Sequence, residues 1–253
     1  MPLTADSDVA HAPHPPLDEY YRGEEGRRAF VRRIFDATAG DYDRIERLMA
    51  FGSGPWYRRQ ALLRAGLAPE MRVLDVAVGT GLVAREAAAV VGARGRVVGL
   101  DPSIGMLRGG TLPSGTVAVQ GMAEALPFAD GSFDFVSMGF ALRHMSDLSV
   151  VFGEIARVLT PGGTACVLEI TRPRGPIAHA LVKAYMRGLV PVIAKVFARH
   201  RETARLMRYY WDTIEACVPP ERVLATLAAA GLTSPARHVE LGIFSEYTGR
   251  KPA

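Results

Sequence analysis

Cysteine occurs only twice in 253 residues, as Cys166 and Cys217, and lysine only as Lys183, Lys195 and Lys251. Two thiols build no disulfide framework, which fits a reducing compartment. Uncharged apolar runs fall short of the ~18 residues that a spanning helix needs, and the opening MPLTADSDVAHAPHPPLDEYYRGEEG holds no apolar stretch of signal-peptide length. A cytoplasmic protein is expected. The histidines His11, His14, His179, His200 and His238 form no ligand spacing with acids or cysteines, so no metal is expected. Nor does a G-x-S-x-G or Cys/His pattern point to nucleophilic hydrolysis. The net charge is +4, but acids and bases are interspersed, which argues against a nucleic-acid partner.

What is present is an ordinary globular composition, 49% hydrophobic and 22% charged, sufficient for one large domain. Residues 1–23 are rich in Pro, His and Asp and have no apolar period, so a disordered tail is expected before a domain over 24–253. Helical periodicity starts near Glu24, with Phe30, Ile34 and Phe35 on one face, and a second helix is expected from Pro55 toward Ala65. From Arg72 the pattern becomes short β runs: Arg72 to Val76, Arg96 to Leu100, Thr116 to Val119, Phe135 to Met138 and Thr164 to Ile170. Helical stretches near Leu82 to Val91, Ile104 to Arg108 and Leu148 to Val158 alternate with them. Apolar strands separated by helices predict a doubly wound parallel sheet covered on both faces. After a helix at Glu221 to Ala230, the runs Ala236 to Leu241 and Ile243 to Thr248 flank Gly242 alone. No crossover helix fits there, so the last pair is antiparallel. The expected fold is α/β, a mostly parallel seven-stranded sheet with a reversed C-terminal hairpin strand.

The first strand runs into Asp75-Val76-Ala77-Val78-Gly79-Thr80-Gly81 and a helix, and Asp101 ends the second strand. Glycines let a ligand approach the backbone at a helix N-terminus, and an acid at the second strand end suits ribose hydroxyls. Gly79-Thr80-Gly81-Leu82-Val83-Ala84 alone also fits a dinucleotide fingerprint or a bare tight turn. Asp75 separates these readings, because a carboxylate there repels a pyrophosphate and attracts the α-ammonium of a methionine moiety. S-adenosyl-L-methionine is the expected cofactor. Asp75 could otherwise only bond loop N–H groups.

The segments LDVAVGTG, VVGLDPSIGML, QGMAEALPFADGSFD, GFALRHMSD and RVLTPGGTACVLE, in this order, resemble the ubiquinone/menaquinone-biosynthesis C-methyltransferase family. FDATAGDYDRIERLMAFG upstream and YYWDTIEACVPPERVLATLAAAGL downstream extend the resemblance to roughly residues 30–250. It implies a Rossmann-like class I methyltransferase fold and cofactor contacts from Asp75, Gly79, Thr80, Gly81 and Asp101. It further implies that Met106 packs against adenine and that Ala123 meets the adenine edge through its backbone. Val78, Met122 and Gly139 depart from the family's usual Gly, Asn or Asp, and Ser. Glu46, Ala50 and Gly54 replace Asn, Ser and His, and Trp56 arrives one position early. The latter changes fall on the substrate side.

Methyl transfer from a sulfonium needs alignment and an activated nucleophile. A base should lie beyond the fourth strand, where Arg143 and His144 stand. His144, expected to titrate near neutral pH, could act as base, and Arg143 could stabilise a phenolate. Alternatively Arg143 pairs with Asp147 and His144 is a solvated surface residue. Tyr42 closes over the cofactor in the resembling proteins. Residues 170–218 read as a helical lid, with one stripe of Ile177, Leu181, Tyr185 and Leu189 opposite Lys183 and Arg187, and another of Met207, Tyr210, Trp211 and Ile214. These stripes read as core or as a lid for a lipophilic aromatic or quinol-like substrate, whose basic outer face could rest on an anionic inner membrane or form a homodimer. Two rival functions stay open: O- or N-methylation of a small natural-product metabolite, and a catalytically silent scaffold in a biosynthetic complex.

Overall fold

A computed structural model of the chain describes residues 12–253. Helices α1 (Gly23–Met49) and α2 (Gly54–Arg64) precede the sheet. Its parallel part is β1 (Arg72–Val76), α3 (Leu82–Val91), β2 (Arg96–Asp101), α4 (Ile104–Gly109), β3 (Val117–Gln120), β4 (Phe133–Gly139), α5 (Leu148–Val158) and β5 (Leu159–Ile170). Three helices follow: α6 (Pro176–Lys183), α7 (Val190–Phe197) and α8 (Glu202–Ala216). The chain closes with α9 (Pro220–Ala229), β6 (Thr233–Glu240) and β7 (Phe244–Arg250).

The seven strands lie in the order β3-β2-β1-β4-β5-β7-β6. β1 to β5 are mutually parallel and β7 runs antiparallel to both β5 and β6, as the single-glycine connection predicts. β5 begins earlier than expected, at Leu159. Gly162, with φ of 76°, and a register shift between Phe133 and Phe135 let the Pro-Gly-Gly segment stay in the ladder. Strand order reverses between β2-β1 and β4, and ligands bind at the carboxyl edge of such a switch point.

Apolar residues cover both sheet faces: Phe152, Ile155 and Leu227 pack on one, and Leu62, Val83 and Ala87 on the other. A third cluster joins α1 to α8 through Phe30, Ile34, Leu206, Tyr209 and Trp211. Helices α7 and α8 are therefore seated on α1.

Two expectations need correction. Residues 12–22 are packed rather than disordered: His14 and Tyr21 are buried, the Val218 N–H donates to the Pro13 carbonyl at 2.8 Å, and Arg27 donates to the His14 carbonyl at 2.7 Å. The physical reason is aromatic burial, since Tyr20 and Tyr21 meet Phe30 and Tyr209, which a count of polar residues overlooks. Residues 1–11, the rest of the expected tail, lie outside the described residues. The second correction concerns the first lid stripe. α6, a π-helical turn at Ala184–Leu189 and α7 run as one helix, yet Ile177, Leu181 and Leu189 are 76%, 66% and 51% exposed. Its stripe faces outward, whereas Met207, Tyr210, Trp211 and Ile214 are buried. By length and composition Pro176–Phe197 could cross a membrane, with a mean hydropathy of 1.3 in its most apolar window.

Candidate active site

At the end of β1 the chain turns through Ala77, Gly79 and Gly81, with φ of 55°, 56° and 92°. Gly81 caps α3, and a Cβ on it would stand 2.7 Å from the Leu112 side chain. That left-handed, crowded position requires glycine. Asp101 holds the loop, with Oδ2 accepting from the Gly79 N–H and Oδ1 from the Ser103 N–H, each at 2.8 Å. Burial raises its pKa to about 6 against the pull of those two N–H groups. A carboxylate has about four lone-pair sites, so two stay free for a ligand. Asp75 Oδ1 accepts from the Ser137 hydroxyl at 2.8 Å, while Oδ2 is buried without a partner. Burial raises Asp75 to about 7.

A cavity of about 670 Å³ opens above these strand ends. Ten of the twelve candidate residues line it: Tyr42, Asp75, Gly79, Thr80, Asp101, Met106, Met122, Ala123, Gly139 and His144. Gly81 acts from behind the loop, and Arg143 is elsewhere. Thr80 gives its hydroxyl to Asp43 of α1, which also accepts from Arg85 at 2.8 Å. Asp36, one heptad earlier on α1, accepts from the Ser103 hydroxyl at 2.6 Å and the Gly105 N–H at 2.8 Å. These two acids tie α1 across the loop and α4. The seven-residue spacing that places them on one helix face was readable from the sequence, but their partners were not.

Two of the departures from the family pattern, Val78 and Gly139, are packed. Val78 fills the space over Gly99, where a Cβ would come within 2.9 Å of it. A Cβ on Gly139 would stand 2.5 Å from Val83 Cγ2, so the usual serine would collide there. Met122 sits at the rim, 39% exposed.

Beyond the loop the wall is aromatic. The His144 ring centroid lies 5.3 Å from Phe35 and 5.8 Å from Tyr210, and the Tyr210 hydroxyl donates to Tyr42 at 2.9 Å. His144 Nδ1 is 3.3 Å from the Tyr209 hydroxyl, and Nε2 is buried without a partner. Burial, with the charges of Arg143, His14 and Arg27, holds the imidazole pKa well below 6.5. This corrects both earlier readings of His144: it neither titrates near neutrality nor sits on the surface.

Arg143 needs correction too. It is 1% exposed, and its Nε–H donates to Glu169 at 2.9 Å, while Nη1 donates to the Tyr210 carbonyl and the Thr213 hydroxyl, both at 3.2 Å. Its partner is Glu169, not Asp147, which caps α5. Arg143 does not line the cavity, and its guanidinium lies 5.4 Å from the Tyr210 ring centroid. Arg143 is thus tied to α8, through the Tyr210 backbone and the Thr213 hydroxyl, and packs behind the Tyr210 ring.

Residues 22–251 match the model of the ubiE/COQ5 methyltransferase family. The chain belongs to that family. The ubiquinone/menaquinone biosynthesis C-methyltransferase UbiE of Geotalea daltonii is 33% identical over 236 residues, covering 90% of this chain and 98% of the relative. A demethylmenaquinone methyltransferase of Staphylococcus aureus is 34% identical over 68% of this chain and 73% of its own. Among solved structures, a SAM-dependent methyltransferase from Aquifex aeolicus has a TM-score of 0.58 at 19% identity, over 82% of this chain and 97% of that one. A possible histamine N-methyltransferase from Thermotoga maritima has 0.60 at 20%, over 87% and 99%. At these identities the structures show the fold alone. The methyltransferase uses S-adenosylmethionine, and its cavity fits that group: Asp75 Oδ2 is an orphaned buried acceptor, and Gly79 and Gly81 leave a backbone cradle.

Proposed function

We propose that the protein methylates a ring carbon of a hydroquinone-like precursor in quinone biosynthesis. The carrying observation is the neutral His144, its Nε2 unpartnered, set in the wall of Phe35, Tyr42 and Tyr210 on the cofactor cavity. When bound, S-adenosylmethionine supplies an electrophilic methyl group on a sulfonium. Asp75 and Asp101 would hold its ammonium and ribose hydroxyls, and Met106 and Ala123 would flank its base. The aromatic wall stacks the substrate ring. Neutral His144 accepts a phenolic proton at Nε2, which raises electron density at the ortho carbon; the methylated ring then gives its ring proton to water, which restores aromaticity, and the imidazolium returns its own proton to the phenolate oxygen. Tyr42, hydrogen-bonded to Tyr210, closes the site over the reacting groups, and Arg143 keeps Tyr210 in place.

A lipophilic tail would leave toward the outward stripe of α6 and α7. Ile177, Leu181, Val192, Val196 and Phe197 are exposed there beside Lys183, Arg187 and Lys195, a pattern that suits the interface of an anionic membrane. In this reading the enzyme is cytoplasmic and rests on the inner membrane surface, with residues 170–218 as the lid. Flotation with anionic vesicles, compared with a Leu181→Ser/Val196→Ser variant, tests the membrane contact; a dimer by light scattering whose stripe is covered, with no flotation, refutes it.

The reaction is tested with isotope-labelled methyl donor and a short-tailed hydroquinone under reducing conditions. Carbon methylation at the ring is expected. O-methylation, or S-adenosylhomocysteine binding without turnover on any hydroquinone, overturns the proposal.

A further inference from the structure

Arg58 of α2 lines the same cavity and is 3% exposed. Its Nη2 donates to Glu46 Oε1 at 2.7 Å, but Nε and Nη1 are buried and have no acceptor. The guanidinium carbon lies 5.4 Å from the Phe140 ring centroid, beside the carboxyl end of β4. Its charge also bears on Asp75, opposing the rise that burial imposes on that carboxyl. Among the described residues, the buried side-chain atoms that lack partners and line the cavity belong to Arg58, Asp75 and His144. His144 faces the aromatic wall. The other two are a buried cation and a buried anion with free bonding positions, near one another yet forming no ion pair.

Unmade hydrogen bonds on a buried charge are costly, so a retained set of this kind marks where a ligand completes it. A cation and an anion lining one cavity are complementary to a zwitterion, and the amino-acid end of the cofactor is one. We infer that Arg58 receives the α-carboxylate of the cofactor's methionine moiety, opposite the ammonium site at Asp75. The inference rests on the cofactor cavity described above. Glu46 fixes the guanidinium by one Nη and leaves the rest free. Gly54 makes the room: a Cβ there would stand 2.5 Å from both Arg58 Nη1 and Glu46 Oε1. Two departures from the family's N-terminal signature, Glu46 and Gly54, thus belong to one device, the acid that aims the arginine and the glycine that admits it.

Calorimetry with three probes tests this: S-adenosylhomocysteine with both charges, its decarboxylated analogue with the ammonium alone, and methylthioadenosine with neither. The wild type should bind S-adenosylhomocysteine about 10- to 100-fold more tightly than the decarboxylated form, the range expected for hydrogen bonds between charged groups. Arg58→Met should abolish that preference and leave methylthioadenosine binding unchanged, and Arg58→Lys should restore part of it. Arg58→Met/Glu46→Gln removes the pair without stranding a charge, and Gly54→Ala displaces it with every charge kept; both should reduce the same preference. Equal wild-type affinity for the two charged probes overturns the inference. So does uniform weakening of all three in the double variant, or an unchanged preference with only KM for the hydroquinone raised, which would turn Arg58 toward the substrate. If the wild type binds none of the probes, the cofactor cavity itself has been misassigned and the inference falls with it.

Discussion

Lowering the pH from 8 to 6 should weaken S-adenosylhomocysteine binding by about 10- to 20-fold, because the ammonium site must lose a proton before it can attract a cation. Burial holds Asp75 at about 7, and the residue lines the cavity with its Oδ2 buried and without a partner. A carboxyl with that pKa is about 90% ionised at pH 8 and about 10% at pH 6, which gives about tenfold in affinity. Asp101, at about 6, adds a factor of about two over the same interval. The sign for the unliganded fold is opposite. Both native pKa values are raised, so the stability these groups contribute is full below the unfolded value of 3.8 and is lost as pH rises through about 6 and 7. Ligand-induced thermal stabilisation should therefore grow with pH. Calorimetry at pH 6, 7 and 8, in buffers of different ionisation enthalpy, measures both the affinity and the protons released. At pH 6 close to one proton should leave Asp75 on binding, and Asp75→Asn should remove that release and most of the slope. Equal affinity at pH 6 and 8 with no buffer dependence of the heat would refute the reasoning.

Arg143→Ala should cost about 3–5 kcal/mol of stability in urea melts, because it strands the buried Glu169 carboxylate, and Arg143→Met/Glu169→Gln should recover most of the loss. A direct contact with substrate would instead show normal stability with collapsed turnover. At saturating cofactor and substrate, kcat should show no limb near pH 6.5, since His144 is already neutral there, and His144→Asn should lower kcat throughout; a wild-type limb at 6.5 that the variant lacks would contradict the buried environment. Met122→Asn should tighten S-adenosylhomocysteine by about fivefold, the worth of one added hydrogen bond, as read by calorimetry. Unchanged or weaker affinity would mean that the rim has repacked around methionine.

Most of the sheet was legible because a strand buried on both faces must be apolar throughout, and Val73 to Val76 and Phe135 to Met138 have nowhere to hide a polar face except at Asp75 and Ser137, which bond each other. The glycine loop and Asp101 were legible for a related reason, as local backbone geometry leaves local marks. Periodicity, however, says which residues share a face and not what the face meets. Ile177, Leu181 and Leu189 form the predicted stripe and turn it outward. Arg143 reads as a rim residue until Glu169, on the adjacent strand, is seen to draw it inward. Arg58 gave no signal, because nothing in a run of helix formers marks one arginine as facing a cavity. Nothing in the sequence names the partners of Asp36 and Asp43, and only the packing of α1 over α4 and the loop makes them braces.

The wall that carries His144 is also held from the far end of the chain. His14 Nε2 lies 3.0 Å from the Arg143 carbonyl, across 129 positions, and the Pro13 carbonyl waits for the amide of Val218. Synthesis runs the other way: this segment leaves the ribosome first, and most of the chain must follow before its partners exist. Contacts of such long sequence separation pay their loop-closure entropy before any reward, and so form late. The seat of this strap, the Arg143 carbonyl and the Val218 amide, exists only once the turn after β4 and the helices beyond β5 are in place. Removing this segment would leave the Arg143 carbonyl and the Val218 amide without these partners and loosen the backbone beside His144.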